Sequence, residues 1–417
     1  MDQFIADFLL GKYQQLHSQF FSCYSTLINK TGGILSQEKL NAIQSALKGG
    51  ELKDAVDNIE EALAEAKNAF LDVAVIGESG TGKSSFINSL RGLSQDDEEA
   101  AAVGVVETTM EKTPYQHPKY PKVTFWDCPG TGTPNFLPET YVEKMEFAKF
   151  DIFIIIACTR FTYKEVQLAQ EIKKMGKKFY FVRTKVDSDL YNEKVSKPKS
   201  FNKERVLQQI QDNCLANLSS NGMSDTHVFL ISNFDLDDFD FPTLEETLLK
   251  ELPAHKRHIF MLLIPCMSDT AIEIKRNFLQ TKLWLETLTS SVLSIFLHPS
   301  FTLGFDLSEQ EKCLNLYRSH FCLDDKCIEE TAKNLGISVS KLRSSIKSSN
   351  FLLLTKDDSI VAKVMKYFEA CCSTNGGLPS TFQLLKTYFL RLKFLNTVAD
   401  DAKIILRKTL EKKIQRE

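Results

Sequence analysis

Hydrophobic and polar residues alternate in blocks between residues 70 and 252, and the lengths of the blocks are typical of an α/β sheet. Five short apolar runs predict strands, at 71–76, 122–126, 151–157, 179–183 and 227–231. The third run is almost continuously hydrophobic, as expected for a strand that is covered on both faces. Helical periodicity follows at 163–175, 203–218 and 243–251. We therefore predict a doubly wound α/β domain over residues 70–252.

The regions on either side of this domain have helical periodicity and no convincing strand pattern. Residues 1–69 are predicted to form helices. One apolar stripe includes Leu16 and Phe20, and a second amphipathic stretch lies at 51–63. After Pro253, helices are predicted at 273–290, 309–317, 326–335, 339–347, 359–370 and 382–413. Because 69 residues alone make a thin core, we expect the segment 1–69 to pack on a C-terminal helical domain at 253–417.

The first predicted strand runs into a glycine-rich segment that matches a phosphate-binding loop. Residues 77–84 read Gly-Glu-Ser-Gly-Thr-Gly-Lys-Ser, between a strand and a helix, which is the context that this motif requires. Its main-chain N–H groups and the helix start favour a phosphate. Lys83 is expected to reach the β- and γ-phosphates, and Ser84 to bind Mg²⁺. The predicted nucleotide-binding residues here are Gly77, Glu78, Ser79, Gly80, Thr81, Gly82, Lys83, Ser84 and Ser85.

A second motif, Thr184-Lys185-Val186-Asp187, follows the fourth apolar run. The Asp187 carboxylate could accept hydrogen bonds from N1–H and N2–H₂ of guanine, and it would be left unpaired against adenine. Lys185 would lie along the base. Further on, Ser232 and Asn233 fit a loop that closes over the guanine. Together these residues predict a guanine site, with Thr184 included in it.

Between the two motifs, Asp127-Cys-Pro-Gly130 follows the second apolar run. Asp127 is expected to hold Mg²⁺ through water. The N–H of Gly130 is expected to contact the γ-phosphate of GTP, a group that GDP lacks. Upstream, Thr109 is a candidate ligand of Mg²⁺ and of the γ-phosphate. The predicted metal ligands are therefore Ser84, Thr109 and Asp127.

The order and spacing of these five motifs are those of a GTPase. We therefore predict a doubly wound Ras-like P-loop GTPase domain, inserted between N-terminal helices and a C-terminal helical domain. Thr131 occupies the position where small GTPases place a water-orienting glutamine, so intrinsic hydrolysis is expected to be slow. The candidate catalytic residues are Lys83, Thr109 and Glu107, of which Glu107 would orient the water. Glu107 is alternatively a solvated carboxylate of the switch loop.

Composition narrows the choice of partners. The chain has 417 residues, with 51 Lys and Arg against 54 Asp and Glu, so its net charge of −3 does not favour nucleic acid as a partner. Its ten cysteines lack metal-site spacing, which indicates reduced thiols in a cytoplasmic protein. No apolar stretch reaches about 18 residues, the length of a membrane span, so any membrane association would be peripheral.

Two stretches allow alternative interpretations. The region 382–416 could be a basic amphipathic helix on a membrane, with Tyr388 and Leu395 on its apolar side, or a core helix with a basic solvent face. The stretch 328–346 has the spacing of a DNA-binding helix-turn-helix, but a helical hairpin packed in the C-terminal domain is the favoured interpretation. Acidic neighbours of this stretch, Asp324 and Asp325, argue against DNA.

With these residues in place, the chain resembles the immunity-related GTPases, the interferon-inducible p47 family. The resemblance covers nearly the whole length and is strongest at 77–88, 104–110, 125–130, 179–189 and 252–258. Lys83 is typical of the Gly-Lys-Ser subgroup, and the sequence is most like the IRG-47 branch. Val103, often a threonine in the family, and Cys128, often a leucine, depart from the pattern.

The resemblance implies a cytosolic GTPase of innate immunity with GTP or GDP and Mg²⁺ as cofactors. It would oligomerise with itself in the GTP state, associate with other family GTPases and load onto the membranes of pathogen-containing vacuoles. Because no arginine finger can be assigned, we expect activation in trans between two facing GTPase domains. The alternative is a binding switch that scarcely hydrolyses GTP and recruits effectors.

Overall fold

The computed structural model divides the chain into two compact units. Residues 69–251 form one, here called the sheet unit, and the described residues of 1–68 and 252–417 form the other, the helical unit. The structure describes residues 16–28, 33–103, 111–130, 138–223, 226–236, 238–263, 266, 268–292, 306–355, 362 and 379–414.

The sheet unit is built on six described strands in the order β2-β3-β1-β4-β5-β6. They are β1 Leu71–Gly77, β2 Thr113–His117, β3 Tyr120–Asp127, β4 Ile152–Ala157, β5 Lys178–Arg183 and β6 Val228–Leu230. All neighbouring pairs are parallel except β2 with β3, which is antiparallel. Because the order reverses between β1 and β4, loops at their carboxyl ends leave a crevice where such folds bind ligands.

Helices cover this sheet. They are α4 Lys83–Arg91, α5 Pro138–Lys144, α6 Tyr163–Lys174, α7 Val186–Ser196, α8 Lys203–Ser220 and α9 Phe241–Glu251. Every residue of β4 is buried, as the continuous apolar run predicted. A cluster of rings, with Phe147 and Phe153 at 4.7 Å between centroids, fills the core on one face. The predicted doubly wound α/β fold is confirmed.

One strand was not predicted from the sequence. In β2 the exposed positions alternate with half-buried ones until His117, and the strand contains Pro114. Such an edge strand has no apolar run, because one side of its ladder faces no further strand. It pairs Thr113 with Asp127, and so covers the outer side of β3.

The helical unit contains helices from both ends of the chain. They are α1 Leu16–Ile28, α2 Gln37–Gly49, α3 Leu52–Asn68, α10 Ala254–Leu263, α11 Asp269–Val292, α12 Leu307–His320, α13 Asp325–Leu335, α14 Val339–Ser344, α15 Phe351–Thr355 and α16 Pro379–Ile414. Phe20 of α1 packs on Trp284 of α11, with ring centroids 5.3 Å apart. Both rings are buried, so the N-terminal helices contribute directly to the core of this unit.

The apolar side of α16 lies inside the helical unit. Tyr388, Phe389 and Leu395 are all buried, and α16 runs alongside α11 and α12. Basic residues of this helix bond inward as well: Arg391 Nε donates to Gln310 Oε1 at 3.1 Å, and Lys393 Nζ to the Leu354 carbonyl at 3.0 Å. This packing favours the core-helix interpretation. Among the described helices, none is long and apolar enough to cross a bilayer.

The stretch with helix-turn-helix spacing is a helical hairpin. Helix α13 ends at Leu335, and the φ of 65° at Gly336 turns the chain toward α14. Ile328 and Leu342 of the two helices are buried. Arg343, the arginine of α14, pairs with Asp325 of α13 at 3.1 Å. The predicted helix at 359–370 lies outside the described residues, apart from residue 362.

Candidate nucleotide-binding site

The glycine-rich loop joins β1 to α4 and passes very close to β4. A Cβ atom at Gly77 would lie 2.1 Å from the carbonyl oxygen of Ile156, so no side chain fits there. Gly82 has a φ of 93°, in the left-handed region, immediately before the first residue of α4. The loop therefore depends on glycine at both of its ends, and it presents the start of α4 to the crevice.

Lys83 turns its side chain back into this loop. Its ammonium donates to the carbonyl oxygens of Gly77 at 3.2 Å and Glu78 at 3.1 Å. The residue is only 7% exposed, so a positive charge is held within the loop by main-chain dipoles. Phosphate oxygens are stronger partners for a lysine than neutral carbonyls. A phosphate bound in the loop could therefore replace these carbonyls as the partner of the Lys83 ammonium.

Ser84 and Asp127 come together from different elements. The hydroxyl of Ser84, in the first turn of α4, donates to Asp127 Oδ2 at 2.5 Å, and Asp127 ends β3. Asp127 is almost completely buried. A hydroxyl and a carboxylate are the hard oxygen donors that Mg²⁺ prefers when phosphates complete its shell, so these residues fit the ion.

The predicted base-recognition segment is fastened to the glycine-rich loop. Thr184 Oγ1 donates to the carbonyl of Thr81 at 2.6 Å. Lys185 Nζ donates to the carbonyl of Gly80 at 2.8 Å, so the side chain extends from the end of β5 to the loop. Lys185 itself has a φ of 60°, which redirects the chain into α7. The two motifs thus lie next to each other in space.

Asp187 lies in the first turn of α7, where the helix dipole favours a carboxylate. It is half-buried, and among the described residues its carboxylate takes part in no hydrogen bond or ion pair. The neighbouring Asp189 differs, because it pairs with Arg183 at 2.5 Å. Asp187 therefore retains its full hydrogen-bonding capacity for a ligand.

The Ser232–Asn233 segment closes the other side of the site. The N–H of Ile231 donates to the Arg183 carbonyl at 2.8 Å, which aligns this segment with the end of β5. Asn233 Nδ2 donates to the Gly82 carbonyl at 3.0 Å, and Ser89 Oγ donates to the Asn233 carbonyl at 2.6 Å. Three segments that are distant in sequence are therefore held together by hydrogen bonds.

Two residues that sequence reasoning missed support the loop toward residue 103. Asn88 exchanges two hydrogen bonds with the main chain of Ala101, of 3.0 and 2.7 Å. Arg91 donates to the carbonyls of Glu99 at 2.8 Å and Gln116 at 2.9 Å. A polar residue in the middle of an amphipathic helix was the only available signal for Asn88.

Glu107 and Thr109 lie outside the described residues.

The region after Asp127 is packed tightly up to Gly130. Cys128 is fully buried, and this burial, together with the Asp127 charge, raises the pKa of its thiol to about 12. The thiol stays protonated and replaces an apolar side chain without becoming reactive. The Tyr141 hydroxyl donates to the Pro129 carbonyl at 2.8 Å and so holds the main chain next to Gly130.

The arginines near the site have other contacts. Arg183 is buried, and besides its pair with Asp189 it donates to the Thr159 carbonyl at 2.7 Å. Arg160 lines a polar cavity of about 710 Å³ between α7 and α8, together with Arg183. Arg183 is thus a packing residue and is not available to stabilise a transferring phosphate.

The chain is similar to proteins of a known family. The interferon-inducible GTPase family model matches residues 36–409. The mouse Interferon-gamma-inducible GTPase 10 is 45% identical, with 90% of each chain covered. The mouse Interferon-inducible GTPase 1 is 42% identical, covering 93% of this chain and 94% of the relative. The rat Interferon-inducible GTPase 5 is 36% identical, covering 91% and 84%. The chain therefore belongs to the interferon-inducible GTPase family, and it is a GTPase.

Proposed function

We propose that this protein binds GTP and GDP with Mg²⁺ at the site that the loop 77–84 forms at the carboxyl end of β1. The main-chain amides and Lys83 hold the phosphates, while Ser84 and Asp127 hold Mg²⁺, with Thr109 joining them. Asp187 reads the guanine edge, and Lys185 lies on the base. The observation that carries this assignment is the pair of hydrogen bonds from Thr184 and Lys185 to Thr81 and Gly80. They support the proposal, because they hold residues 184 and 185 against the glycine-rich loop.

We further propose that one copy alone hydrolyses GTP slowly and that two copies in the GTP state activate each other through their sheet units. The sequence supports slow turnover, because Thr131 stands in place of a water-orienting glutamine. Glu107 is the candidate to orient the water. The contacts of Arg183 with the Thr159 carbonyl and with Asp189 also support activation by a second copy, since they engage this arginine inside its own sheet unit.

In the cell, the proposed role is that of a dynamin-like, interferon-inducible GTPase of innate immunity. It would be cytoplasmic and associate peripherally with endomembranes or pathogen-containing vacuoles, together with other family GTPases. The names of the relatives support the interferon link. Since the apolar side of α16 is buried, membrane contact would use a different surface or a rearranged helix.

The test combines binding, assembly and turnover on one preparation. Calorimetry with GDP, a non-hydrolysable GTP analogue and ADP should show tight binding of the guanine nucleotides alone. Size-exclusion chromatography should show larger species with the analogue than with GDP. Specific activity should rise with protein concentration at saturating GTP. Equal binding of ADP would refute the base assignment, and a flat activity across dilution would refute activation in trans.

A second function remains as an alternative, a GTP-dependent binding switch with little hydrolysis. The missing glutamine favours it as well. It predicts assembly or effector binding with GTP, together with turnover that stays low at every protein concentration. Flotation with liposomes in GDP and in the analogue then tests the membrane role. Substitution of Arg391 or Lys393 is a poor probe for this purpose, because both residues bond inside the helical unit.

A further inference from the structure

Phe234 is the most exposed of the large apolar side chains among the described residues, at 78%. It follows directly after Ser232 and Asn233, at the rim of the candidate base site. A phenylalanine with most of its ring in water gains little from folding, and it represents apolar area that a ligand could cover. Its position next to the base-recognition segment makes a purine the natural candidate.

The main chain around Phe234 is held in place. Its N–H donates to Ser232 Oγ at 3.2 Å, and the N–H of Asp235 donates to the Ser232 carbonyl at 3.4 Å. Residues 232–235 thus form a turn, with Phe234 near its tip. On the preceding side, Asn233 is bonded to Gly82 and Ser89. The ring therefore stands on a fixed turn that is tied to the phosphate loop, and its position is set before a ligand binds.

The opposite side of the site is formed by Lys185, whose side chain extends over Gly80. The bonds between Ile231 and Arg183, and between Val186 and Ile231, keep the segment 231–234 beside the start of α7. A base whose edge is read by Asp187 would lie between these two segments. One face would then meet the aliphatic part of Lys185, and the other face would be open to Phe234.

We propose that the ring of Phe234 stacks on the face of the bound guanine, opposite Lys185. The proposal rests on the proposed guanine-nucleotide binding and adds a base-positioning residue to it. Stacking is insensitive to the edge of the base, because every base has a π-face. Phe234 accordingly contributes affinity for both GDP and GTP, whereas Asp187 provides the choice of base.

The test measures nucleotide affinity for Phe234→Ala, with Phe70→Ala as the matched control. Phe70 is also an exposed phenylalanine, at 62%, but it lies at the amino end of β1, whereas the candidate site lies at the carboxyl end of this strand. Phe234→Ala should weaken GDP and GTP alike by about tenfold, and Phe234→Tyr should restore the affinity. Phe70→Ala should leave both affinities unchanged.

Two further readouts separate stacking from a general loosening of the site. Inosine nucleotides lack the exocyclic amine, so the ratio of GDP to IDP affinity should be unchanged in Phe234→Ala but should collapse in Asp187→Ala. In Phe234→Trp, GDP should quench the fluorescence of the new indole, and the titration should end at one equivalent of GDP. The new indole can be followed because the native Trp126 and Trp284 are less exposed than residue 234.

Unchanged GDP affinity in Phe234→Ala, or an unquenched indole in Phe234→Trp, would overturn the proposal. An effect on GTP-dependent assembly alone would also overturn it and would instead assign Phe234 to contact with a second copy. The failure of guanine binding itself is distinguishable, because it would already appear in the unmodified protein and would leave no affinity to compare.

Discussion

The two units each bury a lysine whose ammonium is held by carbonyl oxygens, and the two lysines differ in what supplies those oxygens. Lys83 of the sheet unit bonds to loop carbonyls of Gly77 and Glu78. Lys275 of the helical unit, only 1% exposed, donates to the carbonyls of His320 at 2.8 Å and Leu262 at 3.3 Å. These two carbonyls lie at the C-terminal end of α12 and near that of α10, where helix dipoles favour a cation.

This difference teaches how the same chemistry can serve a ligand or a fold. A loop carbonyl can give up its partner to a phosphate, because the loop faces a crevice and water can take the partner's place. The helix ends around Lys275 are buried, so losing the ammonium would leave their carbonyls unsatisfied. We therefore expect Lys83 to matter for binding and Lys275 for stability. Two of the four predictions that follow test this division directly, and the other two test the binding role of the sheet unit and the stability of the helical unit.

The largest effect is expected at Asp187, on base selectivity. Asp187→Ala removes the group that adenine leaves unpaired, so a preference for GTP over ATP of about 10⁴-fold should fall close to one. Competition binding with both nucleotides measures it. Glu193→Ala is the control on the same helix, since Glu193 pairs with Lys197 at 2.7 Å. A retained preference in Asp187→Ala would place base recognition elsewhere.

The next effect concerns Lys83. Lys83→Met keeps the aliphatic stem and removes the charge, so GTP affinity should fall by about 10³-fold, the cost of truncating one partner of a desolvated charge pair. Without nucleotide, the free energy of unfolding should fall by less than in Lys275→Met, because the loop carbonyls face the crevice. Lys174→Met, at an exposed position, controls for the loss of charge. If Lys83→Met instead unfolds the sheet unit, the division between the lysines fails.

Lys275→Met should have the opposite profile. Denaturant unfolding of the helical unit should lose about 3 kcal/mol, because buried carbonyls are left without their cation. Nucleotide affinity should be unchanged. Lys326→Met, on the exposed side of α13, provides the control and should be neutral. A stable Lys275→Met protein would show that the helix ends satisfy their carbonyls in another way.

The smallest effect sharpens the comparison through pH. Burial, together with the Lys282 charge, lowers the pKa of His258 to about 3, and burial with Lys275 and Lys282 lowers that of His320 to about 3. Between pH 6.5 and 3 the unfolded chain binds protons that the folded imidazoles do not. Stability is therefore complete above pH 6.5 and is lost as pH falls, by about 2 kcal/mol per histidine at pH 5.

His258→Phe tests this slope and keeps a ring against Phe278, whose centroid is 5.3 Å from that of His258. The variant should lose less stability than the unmodified protein between pH 7 and pH 5, by about 2 kcal/mol. Urea midpoints of the helical unit at both pH values give the answer. Identical slopes would mean that the protonated imidazole finds a partner in the folded state.

The sequence predicted the sheet well where burial is complete. Strand β4 has a continuous apolar run because both of its faces are covered, and no helix competes for such a short segment. Strand β2 escaped prediction because its edge position permits polar residues and Pro114. The sequence pattern also does not predict α10 and α15. Helix α10 begins just after Pro253, a residue typical of a domain boundary, and α15 has only five residues.

At the candidate site, motif spacing named the residues but not how they are joined. The contacts of Asn88 with Ala101 and of Ser89 with Asn233 span 13 and 144 residues. Such pairings depend on the tertiary arrangement, and no local pattern encodes them. The apolar side of α16 shows the same limit, because a stripe of Tyr388 and Leu395 fits a membrane and a protein core equally well.

The position of Gly77 has a consequence for engineering this chain. With only 2.1 Å between a hypothetical Cβ and the Ile156 oxygen, a substitution would force two central strands apart rather than reshape the loop. Libraries that aim to alter nucleotide preference should therefore keep residue 77 fixed. Diversity belongs at Ser79, whose side chain is exposed and can vary at no cost to the sheet.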